Sequence, residues 1–314
     1  MPEDNDKTNA ATPGGIDSGR AAHKLKIIMS ISVRNLNYIY NPGMPGETVA
    51  LSDVSFDVAD GTILGIIGHT GSGKSTLLQH LNGLIKPTSG EVYIDGECIT
   101  AGKVKMTDIR RKVGLVFQYP EYQLFEETVR KDVAFGPKNL GLDEEEQEAR
   151  VKRAVRLVGL DYEEIKDLSP FELSGGMKRR VAIAGVIAMD PKILILDEPT
   201  AGLDPSAHRD ILAMVKRIHE EMGIILIFVS HNMADIAEMS DRVMVMSGGK
   251  IALEGTPAEV FSKGDILSEM GLGVPPAKEI ADLIKKRAPG FTSEALSTDE
   301  AARDIRKYLE ESDG

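Results

Sequence analysis

The stretch GHTGSGKST, Gly68 to Thr76, follows the apolar run TILGIIG and leads into Lys74–Leu84, whose spacing predicts a helix. It fits G-x-x-x-x-G-K-[ST] through Gly68, Gly73, Lys74 and Ser75, in the strand–loop–helix context that this pattern requires. No other feature constrains the fold as much. A buried strand must hand a glycine loop to a helix N-terminus, where main-chain N–H groups and the helix dipole together hold anions. In that geometry Gly68, His69, Thr70, Gly71, Ser72, Gly73 and Thr76 surround phosphate oxygens. Lys74 reaches the β- and γ-phosphates, and the Ser75 hydroxyl holds Mg²⁺. A glycine-rich turn with an incidental lysine is the plainer reading, and the surrounding context argues against it.

The rest of the chain supplies the sheet that such a loop needs. ISVRNLNYIY alternates as an edge-type strand, TVALSDVSFDVADG continues in strand pattern, and GEVYIDGECI predicts a hairpin turning at Asp95-Gly96. VGLVFQ, Val113–Gln118, is a short buried strand. Glu127 to Met189 is mostly helical, with breaks expected at Gly136-Pro137 and Ser169-Pro170. ILILD, SAHRDILAMVKRIHEEM, GIILIFVS and NMADIAEM then alternate as strand, helix, strand and helix, and RVMVMSGGKIALEG closes as a second hairpin. That alternation predicts an α/β fold with a mostly parallel sheet covered by helices on both faces. From Lys263 the pattern changes, and two amphipathic helical segments follow, Ala277–Arg287 and Thr298–Leu309. Residues 1–28 are polar and without apolar periodicity, which predicts a disordered tail; Met29 offers an alternative translation start.

Composition excludes several functions. With 314 residues the chain suffices for one large domain and an appendage, or for two modest domains. A net charge of -12 argues against a nucleic-acid partner, which needs a basic face to displace counterions. The local clusters Lys178–Arg180 and Arg110–Lys112 are read as solvated or partner-facing helix surfaces. No apolar run is long enough to cross a bilayer, and no basic start followed by an apolar core marks a secretion signal, so a cytoplasmic location is expected. The single cysteine, Cys98, excludes an internal disulfide and sits at a strand end.

ILILDEPTAGLD places Asp197 at the C-terminal end of a buried strand, where open α/β sheets bind ligands. A carboxylate there holds the magnesium shell, and Glu198 beside it is the candidate to polarise an attacking water. A strand-end acid pair without a role is common, but less so beside a phosphate loop in the same sheet. His231 follows another core strand on the same sheet edge, placed to touch a γ-phosphate and so to distinguish ATP from ADP. Gln118 ends its strand with a neutral amide suited to Mg²⁺ or the lytic water; taken alone, a surface glutamine is an equal reading. In LSGGMKRR, Ser174, Gly175 and Gly176 expose N–H groups at a second helix start. That site binds anions but lacks the means to split them, and taken alone it reads as an ordinary serine cap.

In order, GHTGSGKST, Gln118, LSGGMKRR, ILILDEP, AGLD and His231 resemble the ATPase subunits of ABC transporters over about residues 30 to 263. The resemblance implies a P-loop NTPase with a mostly parallel core, an antiparallel β subdomain and a helical subdomain of about residues 119–189, the whole spanning 29–263. It further implies two subunits that close head to tail on ATP, the LSGG helix of one pressing on the γ-phosphate held by the other. By the same likeness Tyr40 stacks on adenine, with Tyr38 the alternative, and Asp204 crosses the subunit boundary. Glutamine usually follows LSGG in this family, and here Met177 cannot make that polar contact.

A narrower likeness comes from VFQYPEYQLFEETVRKDVAFGPKNLGL, YNPGMPGE and the tail GLGVPPAKEIADLIKKR…EALSTDEAARDIRKYLEE. These resemble the second of two paralogous A subunits in energy-coupling factor (ECF) transporters, importers of vitamins and metal ions such as cobalt. That likeness implies a second ATPase chain, paralogous or identical, with a transmembrane T component and a substrate-binding S component. It also implies peripheral attachment at the cytoplasmic membrane face, a groove for the T component at Tyr119–Phe125, and a C-terminal helical dimerisation extension over 264–314. The alternatives are an ATPase of another ABC transporter class, a soluble ABC-type ATPase, or an ATP-gated module without turnover. Repair ATPases carry a long coiled-coil insertion and ribosomal ones two nucleotide domains, neither of which is present in this sequence. The set of Glu198, Gln118 and His231 argues against a module that only gates.

Overall fold

The computed structural model describes residues 29–102, 104–288 and 290–312, so the expected tail at 1–28 lies outside the described residues. Ten strands among them form two sheets: β1 (Met29–Tyr40), β2 (Thr48–Ala59), β3 (Ile63–Ile67), β4 (Ser89–Ile94), β5 (Glu97–Cys98), β6 (Val113–Val116), β7 (Ile193–Asp197), β8 (Ile225–Val229), β9 (Arg242–Ser247) and β10 (Lys250–Gly255). One sheet has the order β10-β9-β3-β8-β7-β6, and the other β2-β1-β4-β5. In the six-stranded sheet β6, β7, β8, β3 and β9 run parallel, and only the hairpin partner β10 is antiparallel.

The apolar runs of the sequence are runs because this sheet is buried on both faces. Ile193 and Ile195 of β7 share a cluster with Leu64, Ile66, Ile225 and Ile227, and with the four-stranded sheet and the helix Lys74–Leu81. Their neighbours Leu194 and Leu196 pack on the opposite face with Leu226, Phe228 and the helices that cover that side. Each such side chain contributes about 1.5–3 kcal/mol when fully buried. With both faces covered, polar chemistry is confined to the strand ends.

Strand β1 is not at an edge: it pairs antiparallel with β2 on one side and β4 on the other. Its alternation reports one buried face, with Ile31, Val33 and Leu36 inside, and that pattern is common to central and edge strands of an antiparallel sheet. The hairpin turn at Asp95-Gly96 forms as expected, with φ of +51° and +75°. The break expected at Gly136-Pro137 is absent, because the helix Val129–Asn139 runs through it and ends at Leu140, whose N–H meets the Gly136 carbonyl. Gly136 serves packing instead: a Cβ there would stand 2.6 Å from Met189 Cγ. The Ser169-Pro170 break holds, with a 3₁₀ turn over Pro170–Glu172 leading to the helix Gly175–Ile187. Two terminal helices, Pro276–Arg287 and Thr298–Ser312, pack together around Ala277, Ala295 and Ala301, leaving Ile280, Leu283 and Leu309 exposed.

Arg179 departs from its sequence reading as a surface charge. It is 2% exposed, on the inward face of its helix with Ile183 and Ile187, four and eight residues on. Its Nε and Nη2 donate to the two Glu121 carboxylate oxygens at 3.0 and 2.8 Å, and its Nη1 donates to the carbonyls of Pro199 and Ala201 at 3.1 and 2.9 Å. One guanidinium thus ties the LSGG helix to the 3₁₀ turn Pro120–Gln123 and to the turn after β7. Arg179→Ala leaves Glu121 and two carbonyls without their donor, so urea unfolding should show a loss of about 3–5 kcal/mol. Lys178→Ala, on the outer face, should stay within about 0.5 kcal/mol of the parent.

Candidate nucleotide site

Strand β3 ends at Ile67, and residues 68–73 loop to the start of the helix Lys74–Leu81. Gly73 sits at φ +103°, and a Cβ on it would lie 2.6 Å from the Ala50 carbonyl, so this turn tolerates no side chain. Lys74 folds back into the loop. Its Nζ donates to the carbonyls of Gly68, at 2.6 Å, and His69, at 3.1 Å, with only 8% of the residue exposed. Burial pulls the Lys74 ammonium below its ordinary range, against the opposing pull of Glu198 and Asp197.

The parallel register brings the end of β7 beside this loop. Ser75 Oγ donates to Asp197 Oδ2 at 3.2 Å, and burial raises the Asp197 carboxyl despite Ser75, Lys74 and His231. Glu198 turns the chain out of the strand at φ +52°, a conformation unusual for a side chain larger than glycine, with its N–H on the Val229 carbonyl. Burial is the main cause that pushes its carboxyl up to about 7, with Asp197 and Asp235 adding to the rise. The His231 N–H donates to Glu198 Oε2 at 3.3 Å, and the imidazole Nε2 is 3.2 Å from Oε1. Burial and Lys74 lower the His231 pKa, which favours the neutral ring.

These groups face one open cavity of about 470 Å³, with the strand-end residues on one side and Tyr40 and Gln118 at its rim. The Tyr40 hydroxyl lies 3.2 Å from Thr76 Oγ1, while Tyr38 packs edge-on against both Tyr40 and His80. Thr48, Val49 and Ala50 complete the wall. No motif marks them, because they contribute shape and main chain rather than a chemical type. Ser72, which the motif also names, is buried beneath the loop.

Gly68 and His69 of the loop are likewise outside the lining, and two sequence-expected groups away from the loop do not line this cavity. Ser174 Oγ accepts from the Met177 N–H as an ordinary cap, and nothing lies within 4 Å of a Cβ built on Gly175 or Gly176, neither of which has a positive φ. Asp204 Oδ1 accepts from the N–H groups of Ser206 and Ala207, capping the helix Pro205–Met222, and these bonds hold its carboxyl below the usual range. Ser174, Gly175 and Asp204 are exposed and Gly176 is half-buried.

Comparison with known proteins shows the family. The ABC transporter family profile matches residues 51–201. The energy-coupling factor transporter ATP-binding protein EcfA2 of Clostridium perfringens is 56% identical over 88% of this chain and 96% of its own length. The protein of the same name from Caldanaerobacter subterraneus is 57% identical, over 90% and 98% respectively. Among solved structures, cbiO1 of Clostridium perfringens, part of the ABC transporter complex cbiONQ, superposes with a TM-score of 0.69 at 38% identity, covering 83% of this chain and 96% of that one. A dimeric ATP-binding cassette bound to ADP and Pi gives 0.64 at 30% identity, over 72% and 98%. The chain is an ABC transporter ATPase and belongs to the family of energy-coupling factor transporter ATP-binding proteins.

Because the Gly73 turn has neither the space nor the dihedral freedom for a methyl group, Gly73→Ala should weaken ATP binding at least about tenfold. Titration with a fluorescent nucleotide would measure the loss, and an unchanged affinity would contradict the assignment of the loop.

Proposed function

We propose that this chain binds and hydrolyses ATP between two ATPase subunits and couples their closure to import through a membrane-embedded partner. The observation that carries the two-subunit reading is the pair Gly175 and Gly176. Glycine within a helix weakens it by about 0.5–1 kcal/mol relative to alanine. Nothing in this chain needs it at either position, since both have ordinary backbone angles and open space around them. The requirement therefore lies outside the chain, in a body that approaches the LSGG helix within the thickness of a methyl group. An ATP held by the facing subunit fits, because the N–H groups of Ser174, Gly175 and Gly176 then meet its γ-phosphate.

Within one subunit, the loop at 68–76 binds the triphosphate, and Lys74 moves from its two carbonyls to the β- and γ-oxygens. Ser75, Asp197 and Gln118 offer hydroxyl, carboxylate and amide oxygens, a hard-donor set that suits Mg²⁺ shared with phosphate oxygens. Among the described residues no cluster of three or more acidic, histidine or cysteine side chains forms a separate metal cage. A Mg²⁺ held by these oxygens together with ATP would supply positive charge that offsets the charge of the triphosphate. Glu198 accepts a proton from the attacking water and orients it, the neutral His231 touches the γ-phosphate, and Tyr40 supports the adenine. Asp204, exposed at a helix start, faces the second subunit's site.

No helix among the described residues is long and apolar enough to cross a membrane, so attachment rests on a partner. Arg111, Leu124, Phe125, Phe135 and Met189 line a largely apolar cleft of about 520 Å³, with Tyr122 exposed nearby. This cleft suits a helix of a T component at the cytoplasmic face, and an S component supplies the vitamin or metal-ion substrate. The exposed Ile280, Leu283 and Leu309 of the C-terminal helices suit contact between two ATPase chains, which the paralogue likeness makes a heterodimer.

Glu198→Gln should bind ATP, turn over at least about a hundredfold more slowly and accumulate as a closed dimer by size-exclusion chromatography. Gly176→Ala separates the two-subunit reading from a single-chain one. It should unfold at an equal or slightly higher urea concentration, bind ATP normally as a monomer and fail to dimerise with ATP. Full ATP-dependent dimerisation of that variant would sink the composite site.

A further inference from the structure

The helices that follow Asp204 and His231 are joined by a side-chain pair with no part in the chemistry described above. Asp204 caps the helix Pro205–Met222, and one turn later the His208 N–H donates to the Asp204 carbonyl at 2.9 Å. The His208 Nε2 stands 2.9 Å from both carboxylate oxygens of Asp235. Asp235 lies in the first turn of the helix Met233–Met239, which opens directly after His231 and Asn232. It is 5% exposed, in a chain where a carboxylate at such depth needs a partner. The Asn232 side chain accepts from the N–H groups of Ala234 and Asp235, and the Asn232 N–H donates to Ser230 Oγ at 3.0 Å. A continuous series of contacts therefore runs from Asp204 through His208, Asp235 and Asn232 to His231, and from His231 to Glu198.

We infer that His208 and Asp235 are positioning residues for ATP hydrolysis, locking the helix start that carries Asp204 to the helix start that carries His231. Asp204 faces outward and His231 faces the γ-phosphate position, so the lock makes the inner group respond to whether the outer one is engaged by a second subunit. Neither member of the pair lines the nucleotide cavity. Their loss should therefore leave ATP binding alone and reduce the rate of the step that needs His231 and Glu198 in register. A pair that merely stabilised the fold would lower the yield of active protein without this selectivity.

The inference rests on the roles proposed above for Asp204 and His231, and the test keeps the two apart. ATP turnover would be measured on the full chain in its native ATPase complex for His208→Ala, Asp235→Asn, the double variant, His208→Arg and His231→Ala, with active-site concentration set by nucleotide titration. Each single change at the pair should lower kcat about five- to tenfold with KM for ATP within about twofold. The double variant should be no slower than the slower single, and His208→Arg, which restores a donor to Asp235, should recover kcat to within about twofold of the parent. Should His208→Ala fail to fold, His208→Gln replaces it in the cycle. The inference is overturned by unchanged kcat in folded pair variants, by independent multiplicative losses, or by His208→Arg performing no better than His208→Ala. If His231→Ala leaves kcat intact, the assignment of His231 fails and the inference with it. If His231→Ala is inactive while the pair variants are not, only the inference falls.

Discussion

A cation and two carboxylates have been taken out of water at the mouth of one sheet. Lys74, Asp197 and Glu198 are each mostly buried, and burial shifts each toward its neutral form while the attraction between Lys74 and the two carboxylates resists. Such a site is held ready by the fold rather than by its own energy, because desolvation opposes it. What holds it is the apolar sheet beneath. The parallel register fixes β7 against β8 and β3 between β8 and β9, so the loop after β3 and the turn after β7 have no freedom to separate.

The same logic explains where the strain lies. Glu198 adopts a positive φ at the strand end, and Gly73 does so at the helix start, on the two sides of the cavity. The Glu198 conformation is unfavourable locally and is held by the sheet around it, whereas Gly73 meets its turn without steric cost because it has no Cβ. Arg179 extends this control beyond the nucleotide. By gripping Glu121 and the carbonyls of Pro199 and Ala201, it makes the LSGG helix, the segment after Gln118 and the turn after Glu198 move as one body. The cleft near Phe125 is thereby linked to both the LSGG helix and the turn after Glu198.

Much of this was legible in the residues. The phosphate loop, the acid pair after ILILD and the alternation of strand and helix were read from patterns whose physical basis is local: a run of apolar residues, a glycine loop, a cap. The hairpins at Asp95-Gly96 and Ser247–Lys250 follow from turn chemistry alone. Gly136-Pro137 misled, because a break signal and a packing requirement use the same residue, and only Met189 pressing on Gly136 distinguishes them. Strand β1 misled for a related reason: alternation reveals which face is buried and is silent on how many neighbours a strand has. Arg179 looked like its neighbours Lys178 and Arg180 because charge carries no sign of the four acceptors waiting inside.

The sequence by itself determined that this chain sets a glycine loop and a carboxylate pair at the end of a buried parallel sheet, since the loop, the carboxylates and the apolar strands are each specified within a few consecutive residues. Tertiary structure decided which distant residues share one body: Arg179 with Glu121, His208 with Asp235, Tyr40 with Thr76. It also decided that Ser174 to Gly176 stand clear of the chain's own cavity. The division has a physical cause. Local conformation depends on each residue's own sterics and hydrogen bonding, whereas partners set by sheet order and helix docking come together only when apolar burial closes the chain on itself.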